Sequence, residues 1–224
     1  MSEITRRGLM LILSAPSGVG KTTLAKLLLK NDKHVHSSVS ITTRAKRPGE
    51  KDGIDYYYTD VGTFKQMIDE GEFLEYAEVF GNFYGTPRFA VERHLVEGED
   101  VVFDIDWQGH RQLTSIARQD VASIFILPPS KGELIRRLKC RNHDGVDALA
   151  ERISQIDTEI SHWHEYDYTV INRDLDDSFE KILAILRAER LKKARRLGLK
   201  KFIGDIMQED VKHAVEDTVE ELEK

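Results

Sequence analysis

Gly20-Lys21-Thr22-Thr23 combines a flexible backbone, a cation and two hydroxyls in a row, which suits a polyphosphate. It closes the stretch SAPSGVGKTT, Ser14 to Thr23, which matches the pattern G-x-x-x-x-G-K-[ST] except that Ala15 stands at the first glycine. Gly18 and Gly20 open backbone conformations closed to other residues, so several N–H groups of residues 15–23 can turn inward. The helix that follows adds the positive end of its dipole. Lys21 would reach the outer phosphates of a nucleotide, and the Thr22 hydroxyl would ligate Mg²⁺. Ala15 keeps only a Cβ and fits if its φ is negative. An ordinary glycine turn ahead of a helix would explain the glycines alone, but not the lysine and hydroxyls at this spacing.

A second group belongs to VVFDID, Val101 to Asp106. Asp104 and Asp106 are two apart, so on a strand they would share one face. Two neighbouring carboxylates need a cation or donors beside them. Next to a phosphate loop, such acids hold or polarise Mg²⁺ and its waters. A third group is basic: Arg44 and Arg47, then Arg137, Arg141 and Arg152 around RRLKCRNHDGVDALAER. Phosphoryl transfer needs cations on the oxygens where charge spreads, and the planar guanidinium suits that task. The polar NHDG between two predicted helices reads as a flap that carries some of them. Tyr56 and Tyr84 can donate hydroxyls to a phosphate, and Glu75 can accept two hydrogen bonds from a base edge. Cys140, His143, His162 and His164 resemble a zinc set only superficially. HWH falls in a predicted helix, where i and i+2 point apart, and zinc spacings are not met.

These groups need a frame. LMLILS, VASIFIL (Val121–Leu127) and VVFDID are continuous apolar runs with the character of strands covered on both faces. YTVIN, Tyr168 to Asn172, is a shorter one. Helices fit between them: from about Lys21 to Leu29, behind Thr86-Pro87 with Thr86 as N-cap, and after the capping box Ser130–Glu133. Strands alternating with helices predict an α/β fold with a parallel sheet. Residues 37–86 break the rhythm with glycine, proline and aromatics, as a small, partly antiparallel insert would. At the end, Arg187 to Lys201 is basic and Asp205 to Glu223 mostly acidic; Ile203, Met207, Val211, Ala214 or Val215, and Leu222 recur at helical spacing.

With 224 residues, the chain is long enough for one sizeable core with an inserted flap. At 40% hydrophobic and 32% charged it is a soluble globular composition. No apolar run approaches the ~20 residues of a membrane helix. Arg6-Arg7 before Gly8 to Leu13 mimics an export signal, but the apolar part is short and reads better as a first core strand. A lone cysteine, Cys140, excludes an internal disulfide and fits a reducing cytoplasm. A net charge of −6 exerts no general pull on nucleic acid.

The sequence resembles the guanylate kinases of bacteria over about Gly8 to Leu197. The resemblance rests on SAPSGVGKTT, SVSITTRAKRPGEKDGIDYYY, FLEYAEVFGNFYGT, VVFDIDWQG, IFILPPS and NRDL. Alanine is common at the first glycine there. The resemblance implies a P-loop NTPase-type core (1–36, 87–129 and 155–200), a small mixed β-rich GMP-binding insert (37–86), a helical lid (130–154) and, outside the shared pattern, an acidic helical extension (201–224). It implies transfer of the γ-phosphoryl group of ATP to GMP with Mg²⁺. Ala15, Pro16, Ser17, Gly18, Val19, Gly20, Lys21, Thr22, Thr23, Arg137 and Asn172 match ATP-binding positions. Ser40, Arg44, Arg47, Tyr56, Glu75, Tyr84, Thr86, Asp104 and Asp106 match the GMP side. Lys21, Arg44, Arg137, Arg141, Arg152 and Asp104 match catalytic positions, and Thr22 the Mg²⁺ ligand, with Asp104 a water-mediated candidate.

One departure is the lid, where KCRN replaces the usual R-G-R-G and keeps only Arg141 of its arginines. ATP and GMP are the expected partners, without nucleic acid or membrane; a homodimer to which the tail contributes stays open. Two other readings also stay open: a silent guanylate-kinase-like module that binds phosphorylated peptides, and a sugar-phosphate kinase of the same architecture. The intact Gly20, Lys21, Asp104 and Asp106 oppose the first, and Glu75 with Ser40 opposes the second.

Overall fold

The computed structural model describes residues 4–79, 81–141 and 146–208. In chain order the elements are β1 (Thr5–Arg6), β2 (Met10–Ser14), α1 (Lys21–Asn31), β3 (Val35–Ser37), β4 (Ile41–Thr42), β5 (Tyr57–Tyr58), α2 (Val61–Asp69), β6 (Phe73–Val79) and β7 (Asn82–Pro87). They continue as α3 (Arg88–Val96), β8 (Asp100–Asp104), α4 (Trp107–Ala117), β9 (Val121–Leu127), α5 (Lys131–Arg141) and α6 (Val146–Ser161). The last are β10 (Tyr168–Ile171), α7 (Leu175–Arg190), β11 (Arg196–Leu197) and α8 (Leu199–Gln208).

A five-stranded sheet in the order β10-β9-β2-β8-β3 is parallel throughout. Its central strand explains why LMLIL is an unbroken apolar run. Leu9, Leu11 and Leu13 point into one hydrophobic cluster, with Leu24, Leu28, Ile182 and Leu186. Met10 and Ile12 point into the other, with Val91, Leu95, Phe103 and Leu113. Each such side chain contributes on the order of 1.5–3 kcal/mol by leaving water. The stretch that mimics an export signal is therefore the middle of the core.

A second sheet of four strands, β5-β4-β7-β6, interrupts that alternation. β4 pairs parallel with β5 and antiparallel with β7, and β7 pairs antiparallel with β6. Ile41, Phe64 and Phe73 form its own small core. Gly85 is required there, since a Cβ would stand 2.7 Å from the Phe73 ring.

Several expectations are corrected. Pro87 ends β7 and is itself the N-cap of α3, and Thr86 turns its hydroxyl to Glu75. The strand VVFD begins at Asp100 and stops at Asp104, so Asp106 shares no strand face with Asp104. It caps α4 instead, accepting from the N–H groups of Gln108 and Gly109. Only half of the Ser130 capping box forms. The Ser130 hydroxyl accepts from Glu133 N–H, but the Glu133 carboxylate is taken by Arg136 and Arg137. His162 and His164 lie in a 3₁₀ turn, not an α-helix; His162 stacks on Trp107 and pairs with Glu165. Cys140 is exposed on α5, and His143 lies outside the described residues. In α8, Ile203 and Met207 are exposed, so this part of the tail stripe is not covered by its own domain. Val211, Ala214, Val215 and Leu222 lie outside the described residues.

The N- and C-terminal parts of the domain meet. β1 pairs antiparallel with β11. Beneath them Asp100, fully buried, accepts hydrogen bonds from Arg6 at 2.6 and 3.0 Å, from Arg190 at 2.7 Å and from Leu9 N–H at 3.0 Å. Replacing Asp100 by Asn leaves the Arg6 guanidinium without its counter-charge and Arg190 with Asp32 alone. Breaking a buried pair in this way costs on the order of 3–5 kcal/mol. Denaturant unfolding of Asp100→Asn should show a midpoint lowered accordingly, with an unchanged slope.

Candidate active site

The loop leaves β2 at Ser14 and enters α1 at Lys21. Gly18 has φ of 90° and Gly20 of 111°, both in the region that favours glycine. Space reinforces the choice, since a Cβ on Gly20 would meet Asn172 Nδ2 at 2.9 Å. Residues 15–22 line a cavity of about 330 Å³ together with Asp104, Asp106 and Glu159. Thr23 borders a second hollow of about 410 Å³ on the other side of the loop, with Arg137, Cys140 and Asn172.

Three side chains meet at the loop's end. Lys21 Nζ is 2.7 Å from one Asp104 oxygen, and the Thr22 hydroxyl donates to the other at 2.7 Å. Lys21 also donates to the Ile105 carbonyl at 3.2 Å, which the Ser14 hydroxyl shares at 2.8 Å. The loop is braced from the opposite side. Asn172, buried, donates to the Val19 carbonyl at 2.8 Å and accepts from the Ser178 hydroxyl at 3.1 Å. Arg137 donates to the Val19 carbonyl at 3.3 Å and is held by Glu133 at 2.8 Å. In this state Asn172 shapes the loop from behind.

Arg44 donates to Glu50 at 2.8 Å and stands 5.4 Å from the centre of the Tyr56 ring. Tyr56 and Tyr84 lie edge to face at 5.9 Å. Glu50 organises the turn: it also accepts from Arg47 N–H and the Tyr58 hydroxyl, each at 2.8 Å. These bonds, that from Arg44 first, bring the Glu50 carboxyl down to about 2. Burial is the main reason that the Tyr56 hydroxyl titrates above its usual value, and the charge of Asp104 is among the groups that act on it.

Glu75, on β6, is buried with 7% of its surface exposed. The Thr86 hydroxyl donates to its Oε1 at 2.6 Å, and Ser40 Oγ is 3.5 Å from that hydroxyl. Its Oε2 faces Gly109 at the start of α4, where a Cβ would stand 3.3 Å away. Burial pushes this carboxyl above the usual range, Thr86 partly offsets the effect, and the charge of Asp106 adds to it.

The fold thus gathers Lys21, Thr22, Asp104 and Asp106 around one cavity, Arg44, Tyr56 and Tyr84 in a contact cluster, and Ser40, Thr86 and Glu75 in a hydrogen-bonded row. Arg47 is exposed beside Glu50. Arg152 lies on α6; Arg141 ends α5, and its side chain is outside the described residues. Two participants escape a reading of the sequence. Glu50 sits in a charged turn, GEKD, that looks solvated. Glu159 is on α6, where its carboxylate accepts from Ser17 N–H at 3.1 Å and is pushed up mainly by burial. Glu159 has no local signal, since its partner Ser17 lies far along the chain; the partners of Glu50 are near in sequence but follow no spacing that announces them.

A phosphate loop at the end of a parallel sheet, with a cluster of Arg44, Tyr56 and Tyr84 on a smaller sheet, defines an α/β kinase of the P-loop type. A family model described as guanylate kinase matches residues 7–189. The chain belongs to the guanylate kinase family. It is 52% identical over 206 residues to a guanylate kinase of Nitrobacter winogradskyi, covering 92% of this chain and 94% of that protein. It is 54% identical over 201 residues to one of Rhodospirillum rubrum, covering 90% and 92%. A crystal structure of guanylate kinase from Anaplasma phagocytophilum is similar with a TM-score of 0.76, at 39% identity, over 93% of this chain and all of that one (100%).

Proposed function

We infer that this enzyme transfers the γ-phosphoryl group of ATP to GMP, giving ADP and GDP, and that the residues described above divide the work. The observation that carries this reading is the Lys21–Asp104–Thr22 cluster at the loop, together with the Arg44–Glu50 ion pair and the buried carboxylate of Glu75 on the smaller sheet. The ATP phosphates would lie in the loop cavity, on the N–H groups of residues 18–23. Lys21 would follow the migrating group, and Arg137, Arg141 and Arg152 would add cations from the donor side. Asn172 and Arg137 would meet the adenine end through the second hollow.

Thr22 and Asp104 offer hard oxygen donors 2.7 Å apart, which suits Mg²⁺. When bound, the ion would neutralise charge on the phosphate oxygens. On the acceptor side Arg44, Arg47, Tyr56 and Tyr84 would hold the monophosphate, and Glu50 keeps Arg44 and the turn in place. Glu75 would read the base, with Ser40, Thr86 and Asp106 beside it. No helix among the described residues is long and apolar enough to cross a membrane; the cytoplasm is the expected compartment. Residues 37–86 act as the GMP-binding insert, 130–154 as the lid and 201–224 as an extension outside the chemistry.

Initial rates with GMP, AMP and a ribose bisphosphate at fixed ATP and Mg²⁺ test this directly. Turnover restricted to GMP is expected; faster turnover of the sugar phosphate would overturn it.

The raised Glu75 pKa adds a pH signature. Guanine offers N1–H and N2–H₂, two donors that require an ionised acceptor. As pH falls through the raised pKa, Glu75 takes a proton and this recognition is lost; the KM for GMP should rise on the acid side and level off as pH increases. The effect should begin above the ~4.3 of an ordinary glutamate. GMP's own phosphate also titrates, near pH ~6, but equally for any variant. The readout is thus the difference between the wild-type and Glu75→Gln profiles, and parallel profiles would refute it.

A further inference from the structure

Away from the nucleotide cavities, a second cluster of side chains converges on one point. His36 lies on β3, His94 on α3, and Glu99 in the turn between α3 and β8. One ligand-type atom from each lies within 4.8 Å of the others. His36 Nε2 is in direct contact with Glu99 Oε2, and His34 Nδ1 is 3.3 Å from Glu99 Oε1. His34 stands in the turn just before β3. We propose that His36, His94 and Glu99 bind a divalent transition-metal ion, of which Zn²⁺ is the representative, with His34 at its margin.

The donor chemistry fits. Imidazole nitrogen and a carboxylate are the ligands of Zn²⁺ when thiolates are absent. Two neutral rings and one carboxylate present a single negative charge to the dication. His94 Nδ1 is buried without a hydrogen-bond partner, an uncompensated polar atom that needs a reason. Mg²⁺ prefers an oxygen shell and would be a poor occupant.

The geometry needs one adjustment. Two ligands of a tetrahedral ion, each ~2.0–2.1 Å from the metal, stand roughly 3.3 Å apart, so His36 and Glu99, now in direct contact, must part to admit the ion, and any wider pair must close in. The rings of His36 and His94 are stacked with centroids 4.2 Å apart, which leaves their nitrogens side by side rather than aimed at one centre. The His36 side chain is 35% exposed and has room to turn out of the stack. A bound ion would join β3, after which the chain leaves the large sheet, to α3, through which it returns from the small one. It would act as a clasp at the base of that excursion.

The test uses untagged full-length protein, stripped with chelator and free of nucleotide, titrated with Zn²⁺ by calorimetry and followed by thermal unfolding. One ion per chain at micromolar dissociation constant and a rise in Tm of several degrees are expected, with no response to Mg²⁺ at the same concentration. His36→Ala and His94→Ala should each weaken binding by at least ~10-fold, the loss of a ligand being larger than that of an outer partner. Glu99→Gln should weaken it as well, and circular dichroism confirms that each variant is folded; His36→Gln replaces any that is not. Absence of stoichiometric Zn²⁺ binding overturns the proposal. So does binding that survives both histidine changes, or that is lost only in Cys140→Ser.

Discussion

Replacing Lys21 with alanine is expected to lower turnover by about 10²-fold or more, the scale on which single transition-state charge stabilisers act, while GMP binding survives. Lys21 opens α1 directly after the left-handed Gly20, and the backbone leaves little choice about where its side chain goes. Its ammonium group is held 2.7 Å from Asp104 and 3.2 Å from the Ile105 carbonyl. Alanine keeps the helix, so the loss should be one of chemistry rather than folding. The acceptor pocket is built from β4, β6, β7 and the turn around Glu50, none of which touches Lys21. A coupled assay for ADP gives turnover, and calorimetry with GMP alone gives the acceptor affinity. An alanine variant that turns over normally would remove the donor phosphates from this loop.

Glu75→Gln should collapse the preference for GMP over AMP. The guanine edge offers two donors side by side, and a carboxylate accepts both. The corresponding edge of adenine carries an unprotonated nitrogen, which would face the buried carboxylate with no hydrogen between them. Sites built on such pairing discriminate by ~10⁴ or more. Glutamine retains the size of the side chain, and its oxygen can still accept from Thr86. It loses the charge and turns one acceptor into a donor. GMP efficiency should fall by about 10²-fold or more, AMP should remain poor, and the ratio should shrink at least tenfold. An unchanged ratio, measured as kcat/KM for both monophosphates, would show that the base is read elsewhere.

The residues that could be placed from the sequence are those whose role is local. Gly18, Gly20, Lys21 and Thr22 are adjacent, so their spacing alone states the loop. The strands of the large sheet are unbroken apolar runs because helices cover both faces, and this too is visible locally. What misleads is the register at the ends of elements. Asp106 differs from Asp104 only in standing beyond the last strand residue, where a helix cap competes for it. Thr86 looks like a cap because a proline follows, yet β7 runs through both, and the hydroxyl is drawn to a carboxylate on the neighbouring strand. Glu133 reads as half of a capping box until Arg136 and Arg137 compete for it. Asp100 and Glu159 look like surface charges, because the partners that give them purpose lie far away in sequence, up to 142 residues in the case of Glu159.

The pairing of β1 with β11 fixes an order of events during synthesis. Thr5 faces Leu197, and Arg6 faces Arg196. A ribosome adds ~5–20 residues per second, so roughly 10–40 s separate the appearance of these two strands. Arg6 can meet Asp100 about halfway through that interval, but the aspartate's second arginine arrives only with α7. Throughout that time the apolar β2 stands beside an N-terminal strand with no partner. The edges of β2 are paired once β8 and β9 have emerged, but its face with Leu9, Leu11 and Leu13 stays partly uncovered until α7 brings Ile182 and Leu186. A chaperone that holds this segment would be most useful before α7 emerges and redundant soon after.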